Sequence, residues 1–200
     1  MEVQGYLIMN KPPFTVSVEG NIGAGKSTML KFFEQFADVE LVPEPVAQWC
    51  DLRGHNLLRN KFEDPQRSIN DPLKCIIEYV PLCRWLFPFQ SYVQLTRLQL
   101  LKRPTSCPVK ILERSVQSNR FCFLENARRE GSLGAAELEV LVAWYDWMDS
   151  SIGLPLDLIV YLRTSPQVAY ERLRQRGRKE EAGVPMKFIE VRVVPVLVGW

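Results

Sequence analysis

One histidine, His55, stands in a chain of 200 residues. That scarcity excludes His-paired metal motifs and argues against His-based catalysis. Within Arg53-Gly54-His55-Asn56, His55 reads as a polar loop residue. The five cysteines (Cys50, Cys75, Cys83, Cys107, Cys122) form no CxxC pair. Neither a zinc site nor a disulfide framework has the spacing it needs, so they read as reduced thiols in a reducing compartment. No apolar run approaches the ~18 residues of a membrane span, and no membrane partner is expected. The opening MEVQGYLIMNKPP lacks the charged n-region, long apolar stretch and small-residue cleavage site of a secretory signal. It is not Arg- and Ser-rich like a mitochondrial transit peptide either, so the reading is cytoplasmic, with a mitochondrial address left to a longer form. Neither charge sign dominates: 25 Lys+Arg against 23 Asp+Glu give a net +2. That is too balanced to coat nucleic acid by charge, and no nucleic-acid partner is expected. There is no internal repeat.

The composition, 46% hydrophobic and 24% charged, is that of an ordinary globular domain. Residues 1–200 read as a single domain, large enough to bury a core without staples. Short β-rich runs at 14–19, 40–42, 109–112 and 156–162 predict strands. Helical spacing marks 26–36, 89–102, 135–150 and 166–178. Strands alternating with helices imply an α/β fold on a mostly parallel sheet. Two stretches fit poorly: 68–84, with two prolines, two cysteines and no period, and 191–200, an apolar run that ends abruptly.

The strongest motif is Gly20-Asn21-Ile22-Gly23-Ala24-Gly25-Lys26-Ser27-Thr28, a complete G-x-x-x-x-G-K-[ST] between a strand and a helix. Such a loop points successive backbone N–H groups at phosphate oxygens, and the helix N-terminus adds partial positive charge. Lys26 is placed to reach the β/γ-phosphates and Ser27 to hold Mg²⁺. Base-reading and switch motifs of GTPases are not found, and the core is short for a motor ATPase. A small P-loop protein with an Arg-rich helix after its fourth strand suggests a kinase for a small molecule.

Six pieces, the P-loop among them, narrow that reading: VEGNIGAGKST (18–28), EPVAQW (44–49), RGHNLL (53–58), PFQSYVQLT (88–96), ILERSVQSNRFCFLEN (111–126) and DLIVYLRTSPQVAYERLRQRGRKEE (157–181). In this order and spacing the chain resembles the deoxynucleoside kinase family, nearest the branch of the insect multisubstrate and mitochondrial thymidine enzymes. The resemblance covers roughly 13–67 and 85–190. It implies a P-loop kinase-type three-layer α/β/α fold and ATP- and Mg²⁺-dependent phosphorylation of a deoxynucleoside 5′-hydroxyl, in nucleotide salvage. It also implies a homodimer formed through the helices near 91–103 and 135–150.

The resemblance assigns roles residue by residue. Glu44, which alone would read as a solvated turn glutamate, becomes the general base. Glu113 joins Ser27 at Mg²⁺, and Arg114 steadies Glu44 and the 5′ oxygen. Arg172, Arg176 and Arg178, in a lid region at 172–184, meet the ATP phosphates, with Arg176 and Arg178 acting on the transferring group. Glu181 takes the sugar 3′-hydroxyl. Trp49, Leu58, Phe62, Phe89, Gln90, Val93, Arg97, Asn119 and Phe123 line the nucleoside pocket.

The chain also departs from the family pattern. Phe62 replaces a tyrosine, and Lys61 an apolar residue. Arg97 and Asn119 stand where thymidine-preferring relatives carry methionine and alanine, which predicts a pocket favouring deoxycytidine or a purine deoxynucleoside. Residues 1–12 are an N-terminal extension. Residues 68–84 are an insertion, since joining Arg67 to Trp85 restores the spacing. After Glu190 the family continues with a long helix and a fifth strand, whereas 191–200 is too short for both. A proper fifth strand is therefore not expected, and a truncated, non-catalytic isoform that binds nucleotide or a full-length partner is the alternative reading.

Overall fold

The first strand sets the frame because both of its faces are covered. The computed structural model describes residues 12–63, 85–181, 184 and 186–190. β1 (Phe14–Gly20) is buried from Thr15 onward. It lies between β3 (Val109–Glu113) and β4 (Leu158–Leu162), and β2 (Val39–Val42) flanks β3. The order β2-β3-β1-β4 is parallel throughout, with Val18 opposite Glu113 and Val160. A parallel strand buried on both faces reads as a near-continuous β-rich run, which is how 14–19 reads in the sequence.

The two faces carry different chemistry. Val16, Val18 and Ile111 pack against Leu30 of α1 (Lys26–Phe32). On the opposite side Val42 and Leu112 join Leu101 of α4 (Leu86–Lys102) and Tyr145 of α7 (Ala135–Trp147). The alternate β1 residues Thr15, Ser17 and Glu19 are polar and buried. Each is satisfied: the Thr15 N–H donates to Asp157 at 2.7 Å, and the Ser17 hydroxyl donates to Glu19 at 2.6 Å. This arrangement is the expected three-layer α/β/α fold. At the far end of the sheet, buried Lys110 donates to the carbonyls of Leu101 and Arg103 at 3.1 and 2.6 Å. A cation there closes the C-terminus of α4.

Several element bounds differ from the sequence reading. α4 begins at Leu86, β4 at Leu158, and α8 (Pro166–Arg176) stops at Gly177, which takes a left-handed conformation. α1 tightens into a 3₁₀ turn at Phe33–Gln35. Three short helices were not legible in the sequence: α2 (Val46–Cys50), α3 (Leu57–Glu63) and α9 (Met186–Glu190). Residues between β3 and α7 form α5 (Val116–Ser118), a π-helical stretch Asn119–Leu124, and α6 (Glu125–Glu130). Hydrogen bonds from residue i to i+5 break the 3.6 period that a sequence scan looks for. The insertion at 68–84, the tail at 191–200 and most of the extension at 1–12 lie outside the described residues, so the expectation about a fifth strand falls outside them too. Among the described residues no helix is long and apolar enough to cross a membrane. Among the described residues no disulfide joins Cys50, Cys107 and Cys122, while Cys75 and Cys83 lie outside the description.

The loop after β1 is fixed by close backbone approach. Gly23 has φ +77, and a Cβ on it would sit 2.2 Å from the Ala169 carbonyl oxygen of α8. Gly25 has φ +100 with nothing within 4 Å of such an atom. Gly23→Ala must therefore push the loop off α8, destabilising the chain by roughly 2–4 kcal/mol, whereas Gly25→Ala carries only the backbone strain of about 1–2 kcal/mol. Urea unfolding of the two variants side by side measures the difference.

Candidate active site

The loop, the strand ends and three arginines meet at the carboxyl end of the sheet, where parallel α/β folds gather their ligands. Asn21 anchors the loop: its side-chain amide donates to the Ile189 carbonyl of α9 at 2.7 Å and its Oδ1 accepts the Ile22 N–H at 2.8 Å. Lys26 is buried and donates to the Asn21 carbonyl at 2.9 Å. Burial, with the nearby Arg114, pulls the Lys26 ammonium down to about 7 against the opposing pull of Glu44, Glu113 and Glu19. A polyanion beside Lys26 would restore its charge, which suits a loop that takes triphosphate. The Ser27 hydroxyl lies 3.0 Å from both oxygens of Glu113. Burial and the neighbouring Glu44 push the Glu113 carboxyl up. Among the described residues no cluster of three or more His, Cys, Asp or Glu could hold a metal. A hydroxyl and one carboxylate fit a Mg²⁺ that draws its other ligands from phosphate and water.

Glu44 follows β2 and precedes α2, and two guanidinium groups converge on its Oε1. Arg97 Nη2 donates from α4 at 2.7 Å, and Arg114 Nε lies at 3.3 Å. Burial raises the Glu44 carboxyl, but Arg114, Arg97 and Lys26 together outweigh it and hold the carboxyl below its usual range. Arg114 is one of two described non-glycine residues with positive φ, at +68. Its N–H still donates to Val18 at 3.1 Å, and its guanidinium lies 3.8 Å from Glu19. A strained backbone just past a strand end turns this side chain from the sheet into the site, a kind of strain that concentrates at functional positions. Glu19 in turn accepts the N–H and hydroxyl of Ser115, each at 2.8 Å.

Beyond Glu44 opens a cleft between α2, α3 and α4. Trp49 and Phe89 meet edge to face at 5.8 Å, and the Trp49 indole N–H donates to Thr96 at 3.0 Å. The Arg97 guanidinium lies between Trp49 and Phe123, 5.7 and 5.4 Å from their rings. Gln90 accepts the Asn119 amide at 2.7 Å. Leu58 and Val93 supply apolar wall. Glu181 closes the opposite side, paired with Arg176 and with Arg178, the latter at 3.4 Å.

The structure thus brings Glu44, Trp49, Leu58, Phe89, Gln90, Val93, Arg97, Arg114, Phe123, Arg178 and Glu181 to one cleft. Asn119 is fully buried behind Gln90. Arg176 reaches the site through Glu181, and Arg172 is exposed on α8, apart from the cleft lining. Phe62 belongs to α3, and its side chain lies outside the description. Sequence reasoning missed Glu19, Ser115 and the lining residue Val46; it named Ile22 as part of the phosphate loop and flagged Lys61 only as a departure. A carboxylate near the carboxyl end of a β-rich strand, directly before the P-loop, was the available sign for Glu19.

Comparison with known proteins agrees with this geometry. The family profile described as deoxynucleoside kinase matches residues 16–191. Human mitochondrial thymidine kinase 2 is 39% identical over 175 residues, covering 88% of this chain and 60% of that protein. Chicken deoxycytidine kinase 2 is 36% identical over 185 residues (88% and 69%), and rat deoxycytidine kinase is 39% identical over 188 residues (88% and 70%). The chain therefore spans between 60% and 70% of the length of these relatives. With a profile match running from the first strand to the end of α9, and the P-loop, Glu44 and the Glu113-Arg114 pair assembled at one sheet edge, the chain belongs to the deoxynucleoside kinase family.

Proposed function

We propose that this chain transfers the γ-phosphoryl group of ATP to the 5′-hydroxyl of a deoxynucleoside, in nucleotide salvage. The observation that carries the reading is Glu44: an ionised carboxylate with one oxygen fixed by two arginines, at the wall of a cleft beside the P-loop lysine. The names of the relatives, thymidine kinase and deoxycytidine kinase, support a nucleoside acceptor. Glu44 takes the 5′-hydroxyl proton, the oxygen bonds to the γ-phosphorus, and the bond to the β-phosphate oxygen breaks to leave ADP. Phosphoryl transfer asks little covalent chemistry of the protein, so positioning and charge compensation dominate. Ser27 and Glu113 would hold Mg²⁺, which when bound neutralises phosphate charge. Lys26 and Arg114 stand at the reacting end. Arg176 and Arg178 face it from the lid, and Glu181 receives the 3′-hydroxyl while orienting both arginines.

The base end of the cleft supports deoxycytidine or a purine deoxynucleoside over thymidine. Its wall carries the Gln90–Asn119 amide pair and the Arg97 guanidinium, all buried. A wall of buried donors and acceptors rejects a base edge that leaves them unpaired. A coupled assay with ATP, Mg²⁺ and the four deoxynucleosides tests both statements. The expected result is turnover with deoxycytidine or a purine at least ~10-fold ahead of thymidine. Glu44→Gln is expected to lower kcat by ~10²–10⁴ while binding of ATP persists. Thymidine leading the panel refutes the preference; a folded chain that binds ATP without turnover refutes the kinase.

The homodimer reading is supported by an apolar face on α4 and α7. Leu95, Val140, Trp144 and Trp147 are 45–55% exposed there, with the two indoles edge to face at 6.0 Å. So much exposed aromatic surface on one face fits an interface between copies. Trp144→Glu is expected to convert a dimer to monomer in sedimentation velocity runs at micromolar protein, with folding unchanged by circular dichroism.

A further inference from the structure

Arg97 is a nucleoside-pocket residue by sequence, yet its strongest contact is elsewhere. Its side chain is 5% exposed, and its shortest hydrogen bond, 2.7 Å, goes to Glu44. Its contact with the Ser115 carbonyl is long, at 3.4 Å, and its buried Nε meets no acceptor among the described residues. A buried guanidinium with an unmet donor is costly, so whatever fixes it must outweigh that loss. The neighbouring Asn119 spends its amide on Gln90. Among the described residues Glu44 is therefore the one carboxylate paired with Arg97. The two rings that flank the guanidinium, Trp49 and Phe123, also line the cleft.

We infer that Arg97 is a positioning residue for Glu44, so that one side chain of the nucleobase wall sets the orientation and readiness of the carboxylate that takes the 5′ proton. Arg114 Nε meets the same Oε1 from the end of β3. Two cations on one oxygen fix the plane of the carboxyl group and leave Oε2 as the oxygen for the substrate proton. The link makes base recognition and proton removal interdependent. A nucleoside that displaces Arg97 disturbs Glu44, and one that fits around it finds Glu44 already oriented. The inference rests on the kinase reading for its chemistry, although the pairing itself does not.

The charged surroundings of Glu44 are mixed. Lys26 and Glu113 face it from α1 and β3, with Glu19 behind Arg114; Lys61, Arg178 and Glu181 line the cleft from α3 and from beyond α8. Of these groups only Arg97 and Arg114 pair with Glu44 among the described residues. Removing the Arg97 charge should therefore raise the Glu44 titration. A base must be deprotonated to act, so the acidic limb of the kcat/KM profile should move upward by about one pH unit in Arg97→Met. kcat should fall by ~10-fold or more, since the carboxyl loses one of its two anchors. Arg97→Lys keeps the charge without the planar fork and should give a smaller change of the same sign, readable even where the methionine variant does not fold. The Glu44 carboxyl is followed in parallel by carbon-detected NMR of the full chain, which needs no turnover. A higher Glu44 titration in either folded variant supports the inference even where no kinase activity is found, an outcome that removes the kinase reading alone. A raised KM with unchanged kcat, acidic limb and Glu44 titration overturns the inference and leaves the kinase reading intact.

Discussion

The site depends on charge compensation in a place with little water. Three carboxylates, Glu19, Glu44 and Glu113, and three cations, Lys26, Arg97 and Arg114, meet where β1, β2 and β3 end. Five of the six are under 9% exposed, and Glu44 opens to the cleft. Each would be costly to bury alone, and each is made tolerable by the others. That mutual dependence fixes the geometry. Arg114 accepts a left-handed backbone to reach Glu44 while staying near Glu19, and Ser115 fastens Glu19 from the next residue. The cluster balances without phosphate, but Lys26 is only weakly held as a cation. The arriving anion therefore has a specific cation to meet.

Around that cluster the backbone serves as scaffold. The polar stripe on one face of β1 leads from Asp157 through Thr15 and Ser17 to Glu19, carrying satisfied hydrogen bonds through the sheet to the site. Gly23 lets the phosphate loop touch α8, and Asn21 ties the same loop to α9. The loop is held on one side by α8, which carries Arg172 and Arg176, and on the other by α9. Arg176 and Arg178 share Glu181, so the residue proposed for the sugar also aligns the cations proposed for the phosphates.

The wall of the cleft gathers two sets of contacts on one side chain. Phe89 stacks edge to face on Trp49 and lies 4.6 Å from the Lys61 ammonium. Arg97 sits between Trp49 and Phe123 while binding Glu44. The proposed selectivity and proton-transfer roles would thus be joined through a single guanidinium, so a substitution there is expected to change both.

The sequence by itself determined the parallel α/β architecture and the phosphate loop. Both are local: β-rich runs between turn residues, and glycines spaced for a loop between strand and helix. Glu44, Glu113 and Arg114 became site residues through motif resemblance, because a lone carboxylate after a strand carries no local sign of its role. Tertiary structure alone decided that Glu44 lies between Arg97 and Arg114, residues 53 and 70 positions away along the chain. It alone showed Glu19 and Ser115 behind them, Asn119 turned to Gln90, and Arg172 left on the exposed side of α8. The π-helical turn at Asn119–Leu124, which hides its period from any 3.6-residue scan, forms part of that wall. Local propensity depends on neighbours in sequence. Compensation of buried charge depends on which strand ends converge, and that is settled only when the sheet has formed.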